Sequence, residues 1–541
     1  MRNLNNTLRT SILLLLLLCA SYSALAHDFE VDGIYYNKTS YNTVAVTYQG
    51  SVYHQNTNRY IGSVTIPSSV TYGGETYSVT SIGDNAFNRC GMLTSVTIPH
   101  SVTTIDSYAF NNCASLTEIS VKNGNSVYDS RNNCNAIIET ASNKLIAGCQ
   151  NTVIYNTITT IGKNAFCGCT RLTSVTIPNS VTHIETGAFY GCTGLASVTI
   201  PKSITIIDDY NPFMSCTGLK SVIVDSGNMF YDSRGSCNAI IETASNKLIT
   251  GCQNTVIPNS VSKIGANSFL GCTGLTSVTI PNSVTHIYAC AFADCKNLLS
   301  VTIPNSVTYI GHDAFMACTG MTSVTIPKSV TRIDAYPFRG CSGLKEITVN
   351  EGNSVYDSRN NCNAIIETAS NKLIAGCQNT IIPNTVTCID GYTFDSCYGI
   401  TNLTIPNSVT QIQDYAFYNC SGLTSVTCLA RTPPTIGDNC FSLSINSSTI
   451  YLNAPLYVPK ESVVAYQSAN GWKKFIHIVG IEVEPQHGDV NGDGVVNISD
   501  LNNVVNDILA GIGDPSMDVN GDGSVNISDI NIIVQTILSN N

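Results

Sequence analysis

The stretch SVTIPNSVTHIETGAFYGCTGLA, Ser174–Ala196, decides the fold, and SVTIPNSVTHIYACAFADCKNLL, Ser277–Leu299, is nearly a copy of it. Ser277 to Ser300 is 23 residues, and Ser300 to Ser323 is another 23. A fixed period of roughly 20–50 residues marks stacked supersecondary units. In the second copy Val278, Ile280, Val284, Ile287, Ala291, Phe292, Cys295 and Leu298 hold the recurring apolar positions. SVTI alternates, so Val278 and Ile280 point one way and Ser277 and Thr279 the other. Pro281 has no N–H for a strand ladder and turns the chain out. VTHI alternates again. AFADC reads as a tight helical or turn segment that drops Phe292 and Cys295 inward. One such coil cannot bury its apolar side alone, but stacked coils build a continuous core, with strands paired at roughly 4.8 Å.

These residues resemble the BspA-type leucine-rich repeat, whose pattern runs L-x-x-I-x-I-P-x-S-V-x-x-I-x-x-x-A-F-x-x-C. The AFxxC register extends from Phe87/Cys90 to Phe417/Cys420. The resemblance implies a secreted or surface protein, with adhesion among the family's roles. The repeat itself predicts a β-rich solenoid over residues 81–424.

Three 56-residue units break the period: Glu118–Thr173, Ser221–Thr276 and Glu346–Thr401. Each carries a near-identical insert, such as YDSRNNCNAIIETASNKLIAGCQNT at Tyr128–Thr152. The insert reads as a β-hairpin pairing Ile137 with Ile146, Ile138 with Leu145 and Glu139 with Lys144. Continued outward, that register sets Cys134 opposite Cys149, with Cys237/Cys252 and Cys362/Cys377 matching. Facing Cβ atoms at roughly 4.5–5.5 Å approach disulfide geometry, and free thiols are the alternative. The hairpins are either a spaced, projecting binding surface or an elaborated coil copied by block duplication.

Residues 1–26 read as a secretory signal peptide, with Arg2 and Arg9 before the apolar run Ile12–Leu18 and Ala24-Leu25-Ala26 at the cleavage site. The run is too short to span a bilayer. A lipoprotein route through Cys19 is the alternative, and it requires a small residue where Leu18 stands. Residues 27–80 carry an aromatic and β-branched hairpin pattern and are expected to cap the open solenoid end. Residues 425–484, with the single tryptophan Trp472, lose the register and are expected to form the C-terminal cap and linker.

Residues 485–541 differ in kind. They hold eight Asp and no Glu, Lys or Arg, so −8 of the chain's −11 net charge lies there and −3 in everything before. Overall acidity argues against nucleic acid, which needs Lys and Arg clusters. Asp489, Asn491, Asp493, Asn497 and Asp500 occupy loop positions 1, 3, 5, 9 and 12, with Gly494 at the sharp turn and the Val495 carbonyl at position 7. That is the spacing of a calcium loop built from hard oxygen ligands. It recurs 29 residues later as Asp518, Asn520, Asp522, Ser524, Asn526 and Asp529, with Gly523 at the turn. Leu501, Val504, Val505, Ile508 and Leu509 follow the first loop at helical spacing, and Ile530, Ile533, Val534, Ile537 and Leu538 follow the second.

Position 12 is Asp rather than Glu, and no helix precedes either loop. Both features, and the duplicated loop–helix pattern, resemble type I dockerins. The resemblance implies a small α domain holding two calcium ions and docking to a cohesin module of a scaffold protein, mostly in polysaccharide-degrading assemblies. Positions 10 and 11, which help choose the cohesin in that family, are Ile498/Ser499 and Ile527/Ser528 here.

No catalytic constellation stands out. His54, His100, His183, His286, His312 and His477 are scattered, and neither GxSxG nor HExxH occurs. Glu139, Glu242 and Glu367 recur with the insert, as do Asp129/Arg131, Asp232/Arg234 and Asp357/Arg359, which reads as structural. Eleven cysteines, Cys90 to Cys420, sit at the AFxxC position and are expected to form a buried thiol stack. The leading expectation is a secreted, non-catalytic binding protein. It would dock by its tail and recognise protein or glycan on the outward ladder Thr279, Thr302, Thr325. A component with glycoside-hydrolase-related activity and a dockerin-anchored host adhesin are the competing readings.

Overall fold

The computed structural model describes residues 27–49, 60–445, 448–483, 488–491 and 496–539. The signal-peptide and Cys19 readings, His54, and the ligand positions Asp493 and Val495 lie outside the described residues. The chain divides into two compact units, residues 1–256 and 257–541. Both contain stacked coils of a β-rich solenoid.

Most coils contribute a strand to two separate parallel ladders, although in the coil Ser174–Ala196 only His183–Ile184 is a strand and Ser174–Ile177 is not. In the second unit the first ladder pairs Val278 with Val301 and Thr279 with Thr302. The other pairs His286 with Tyr309 and Ile287 with Ile310, then Tyr309 with Arg332. Partners lie 23 residues apart, so the sequence period is the rise of one coil. The proline after SVTI separates the two ladders because it can join neither. Seven of the eight apolar repeat positions in Ser277–Leu299 are buried, Val278 alone being half-exposed.

The AFxxC segment is a series of turns that stacks phenylalanines down the axis. Phe166 and Phe189 lie 5.0 Å apart in the first unit, and Phe292 and Phe315 lie 5.3 Å apart in the second, with planes within 5°. The cysteine three residues later is buried in almost every coil and forms no disulfide. Its thiol donates to the carbonyl of the phenylalanine one coil back: Cys216 to Phe189, Cys318 to Phe292 and Cys341 to Phe315, each at 3.1 Å.

The inserts are part of the stack. Ala136–Glu139 pairs antiparallel with Lys144–Gly148, and Lys144 and Leu145 then pair parallel with Thr160 and Ile161 of the next coil. In the third insert Lys372 and Leu373 pair likewise with Cys388 and Ile389. Each hairpin therefore supplies a rung, which agrees with the elaborated-coil reading and not with a projecting surface. Gly148 and Gly376 permit this, since a Cβ there would sit 2.3 Å and 2.1 Å from the rings of Phe166 and Phe394.

The expected hairpin register holds for Glu139–Lys144 and Ile138–Leu145, but Ile137 pairs with Ala147 rather than Ile146. A β-bulge at Ile146 shifts everything beyond it by one, and one residue of shift exchanges the two faces. Cys134 consequently packs with Ala136, Ile138 and Leu145, whereas Cys149 packs in a different cluster with Ile137 and Ala147. Both are free thiols, so the facing pair expected from the unshifted register does not form.

At the start of the chain, Phe29–Val31, Ile34–Lys38 and Thr43–Thr47 form an antiparallel meander, and Thr43–Thr47 pairs parallel with Glu75–Ile82. Phe29 stacks on Tyr72 at 4.4 Å and closes that end. In the second unit the repeat persists one coil past residue 424. Ser425–Cys428 pairs with Asn402–Ile405, and Phe441 stacks on Phe417 at 5.0 Å. Trp472 then closes the core, fully buried, its indole N–H donating to the Pro434 carbonyl at 2.7 Å.

Candidate functional site

The tail contains two helices, Ile498–Ala510 and Ile527–Ser539. Asn497 and Asp500, ligand positions 9 and 12 of the first loop, form a capping box at the start of the first helix. The Asn497 side chain accepts from Ser499 N at 2.7 Å, and Asp500 accepts from Asn497 N at 2.9 Å. Asp500 also accepts from Asn491 N at 3.2 Å, across the loop. The same residue types at the same spacing therefore end the loop and begin the helix.

The second loop repeats the arrangement. Asp529 accepts from Asn520 N and Asn526 N, both at 2.9 Å, and Asn526 accepts from Ser528 N at 2.9 Å. Asp518 accepts from Asp522 N at 3.2 Å and Gly523 N at 2.7 Å, so the loop is wound around its first carboxylate. Gly523 has φ +86°, a conformation that suits glycine at the sharp turn. Burial raises the Asp529 carboxyl, but the backbone N–H groups of Asn526, Asn520 and Val519 outweigh it and hold that carboxyl below its usual range. Asp500 and Asp529 are fully buried yet satisfied, as a buried carboxylate must be.

The donor chemistry of both loops is oxygen only, which fits a hard divalent cation and calcium in particular. Among the described residues no three acidic, histidine or cysteine side chains stand together as a preassembled cage. Asp518, Asn520, Asp522, Ser524, Asn526 and Asp529 are ordered by hydrogen bonds along one loop. In the first loop Asp489, Asn491, Asn497 and Asp500 are described.

Val496, Val504, Val519 and Ile533 make the small core between the helices, flanked by Leu501, Ile508, Ile530 and Ile537. Leu509 and Leu538, expected on the apolar face, are instead 79% and 62% exposed. Ile498 and Ile527 are also exposed, at 69% and 70%, and Ser499 and Ser528 beside them face solvent. Two matching outward patches of a β-branched residue and a serine thus sit at the helix starts.

In the solenoid of the second unit, Thr279, Thr302 and Thr325 are exposed. They line a groove of about 750 Å³ together with Asn282, Asn305 and Asn350. Neighbouring hydroxyls can bond along the ladder, as Thr325 and Thr348 do at 3.0 Å. On the other strand row His286 bonds Thr285 at 2.8 Å, and His312 pairs with Asp313 at 2.9 Å, so these histidines are engaged locally rather than converging. The insert carboxylates are likewise committed: Asp129 to Arg131, and Asp357 to Arg359, each at 2.6 Å.

One feature escaped the sequence reading. Two residues before the stacked phenylalanine the backbone is left-handed, and Asn85, Asn164, Asn267 and Asn439 fill that position in several coils. Tyr336, Tyr392 and Tyr415 fill it with φ of 61°, 53° and 58°. A bulky side chain there is a true outlier, costing on the order of 1–3 kcal/mol. Only a comparison of coils at this exact register would have exposed the substitution of Tyr for Asn.

Among the described residues no helix is long and apolar enough to cross a membrane. Comparison with known proteins finds the BspA type leucine rich repeat region over residues 57–147, 136–243, 240–367 and 363–468. It finds the dockerin type I domain over residues 487–539. A solved leucine rich cell surface protein from Faecalibacterium prausnitzii is 26% identical, matches 74% of this chain and 94% of its own, with a TM-score of 0.37. A leucine-rich repeat protein from Bacteroides ovatus is 24% identical over 84% of this chain and 100% of its own, with a TM-score of 0.30. The pneumococcal vaccine antigen PcpA is 17% identical over 85% of this chain and 99% of its own, at 0.38. No curated protein matches. The domains found are of non-catalytic kinds, the second of them calcium- and cohesin-binding. The chain belongs to the BspA-type leucine-rich repeat family and carries a type I dockerin domain at its C-terminal end.

Proposed function

We propose that this is a secreted, non-catalytic binding protein that its tail attaches, in a calcium-dependent way, to a cohesin-bearing scaffold. The observation that carries the reading is the duplicated loop and helix of residues 489–539, with matched oxygen donors and matched outward Ile/Ser pairs. Two calcium ions are held, one per loop. Asp489, Asn491, Asp493, Val495, Asn497 and Asp500 supply the first set, and Asp518, Asn520, Asp522, Ser524, Asn526 and Asp529 the second. Calcium supplies charge neutralisation: eight Asp without a cation repel one another, and two bound ions offset four of those charges. Ile498/Ser499 and Ile527/Ser528 present the cohesin contact.

The solenoid is the cargo of that attachment. Its threonine ladder offers many identical, individually weak contacts in register, the usual way a repeat face gains affinity. A polysaccharide-degrading assembly is the setting in which such a scaffold places it. Leucine-rich repeats, a non-catalytic kind of domain, match across residues 57–468, which supports the non-catalytic reading. Capture of the full chain on an immobilised type I cohesin tests the reading. Capture in calcium that is lost with a chelator supports it, and absence of capture from a panel of type I cohesins contradicts it.

A further inference from the structure

The three left-handed tyrosines form one continuous surface feature. Tyr336 meets Tyr392 edge to face, with centroids 4.9 Å apart, and Tyr392 stacks on Tyr415 at 4.9 Å with planes 2° apart. The Arg339 guanidinium lies 4.0 Å from the Tyr392 centroid, and its Nε is 3.3 Å from Asp395 Oδ2. Tyr336 also forms one wall of a cleft of about 350 Å³. Gly391, Gly437, Gln411, Gln413 and Asp414 also line it. Its volume falls within the range of roughly 300–1,000 Å³ typical of small-ligand sites.

From this juxtaposition we infer that the cleft beside Tyr336 is a binding site for a neutral sugar unit within an oligosaccharide. The inference rests on the solenoid being a binding body, and it adds a second site with a stated ligand class, separate from the threonine groove. The chemistry selects the ligand. Asp414 Oδ1 accepts from Asp438 N at 2.8 Å, and Gln413 Nε2 and Gln411 Oε1 meet the Cys388 thiol at 3.8 Å and 3.9 Å. Gln411 Nε2, Gln413 Oε1 and Asp414 Oδ2 are therefore the donor and acceptors that face a ligand, and a purely apolar ligand would leave them unmatched. An anion meets the Asp414 carboxylate and no cation of the cleft wall, because Arg339 is spent on Asp395 and Tyr392. A pyranose presents an apolar C–H face to an aromatic ring, whose face is electron-rich, and equatorial hydroxyls to amides and a carboxylate. Gln411, Asp414 and Thr435 are exposed, so the cleft is open at the surface and admits an internal unit of a chain.

The strain argues for the same conclusion. Asn fills this backbone position in several coils, and Cys290 and Asp313 fill it in two others. Asn tolerates the left-handed region better than Tyr, so a plain structural role has a cheaper residue available. Three consecutive AFxxC coils carry Tyr instead, and the first of them, Tyr336, lines the cleft, a place where backbone strain is retained for binding.

The test is calorimetric titration of the full chain with cellohexaose, xylohexaose and mannohexaose, using the wild type, Tyr336→Asn and Gln413→Ala. The wild type is expected to bind at least one hexasaccharide. Tyr336→Asn should weaken that binding at least tenfold while leaving the melting temperature unchanged or higher, because Asn suits the left-handed backbone. Gln413→Ala should weaken binding to the same hexasaccharide without altering the fold. A wild type that binds none of the three overturns the inference, as does a Tyr336→Asn variant that binds as the wild type does. Cohesin capture run on the same samples separates the two readings. Capture without sugar binding sinks this site alone, and sugar binding without capture sinks the docking reading alone.

Discussion

The thiol of Cys192 donates to the carbonyl oxygen of Phe166, one coil earlier, at 3.1 Å. Both residues are buried, and the carbonyl also accepts from Cys169 N at 3.0 Å, so this weak donor is its second partner where water cannot reach. The repeat cysteine is therefore a small inward side chain with a polar duty. Cys192→Ala should cost about 1–2 kcal/mol, part cavity and part lost hydrogen bond, measured by chemical denaturation. A Cys192→Ala variant as stable as the wild type would mean that the contact is incidental.

The same thiols make the solenoid sensitive to alkali. Burial pushes Cys216 and Cys318 up to about 12. An unfolded thiol titrates near 8.5. Because the folded value is the higher one, this contribution is fully present below about pH 8.5 and is lost as pH rises toward about 12. Thermal melts should be flat between about pH 7 and 8 and should fall steadily above about pH 9.

Much of this was legible in the repeat alone. The 23-residue spacing gives the rise of a coil, and Pro281 and its equivalents separate the two strand rows. The thiol ladder was visible as burial, but its hydrogen bond was not, since Cys and Ala look alike in an apolar pattern. The bulge at Ile146 was invisible because Ile146 and Ala147 are both apolar and either suits the pairing. The dockerin loops were legible because ligand spacing and helix capping ask for the same Asn-x-x-Asp. Leu509 and Leu538 misled because their helical spacing marks a face without saying whether core or partner covers it.

The hairpin cysteines should remain reduced. Cys134 and Cys149 pack in separate clusters on the two faces of the bulged hairpin. Peptide mapping without reduction should show no 134–149 linkage, nor its equivalents at 237–252 and 362–377. Finding such a linked pair would place the hairpin in the unbulged register.

Substituting Thr279, Thr302 and Thr325 together with Lys should abolish binding of polysaccharide or matrix protein at the groove. Circular dichroism and cohesin capture should be unchanged, since the three side chains are exposed. Binding that survives the triple change assigns the ladder to sheet stabilisation and moves attention to the tyrosine cleft.

Calcium titration of the chelator-treated full chain, followed by calorimetry, tests the central claim most directly. The account predicts two calcium ions per chain, and one in a variant carrying Asp518→Ala and Asp522→Ala together. It also predicts that helical circular dichroism rises as the sites fill. A chain that takes up no calcium, or whose stoichiometry ignores the double substitution, contradicts it.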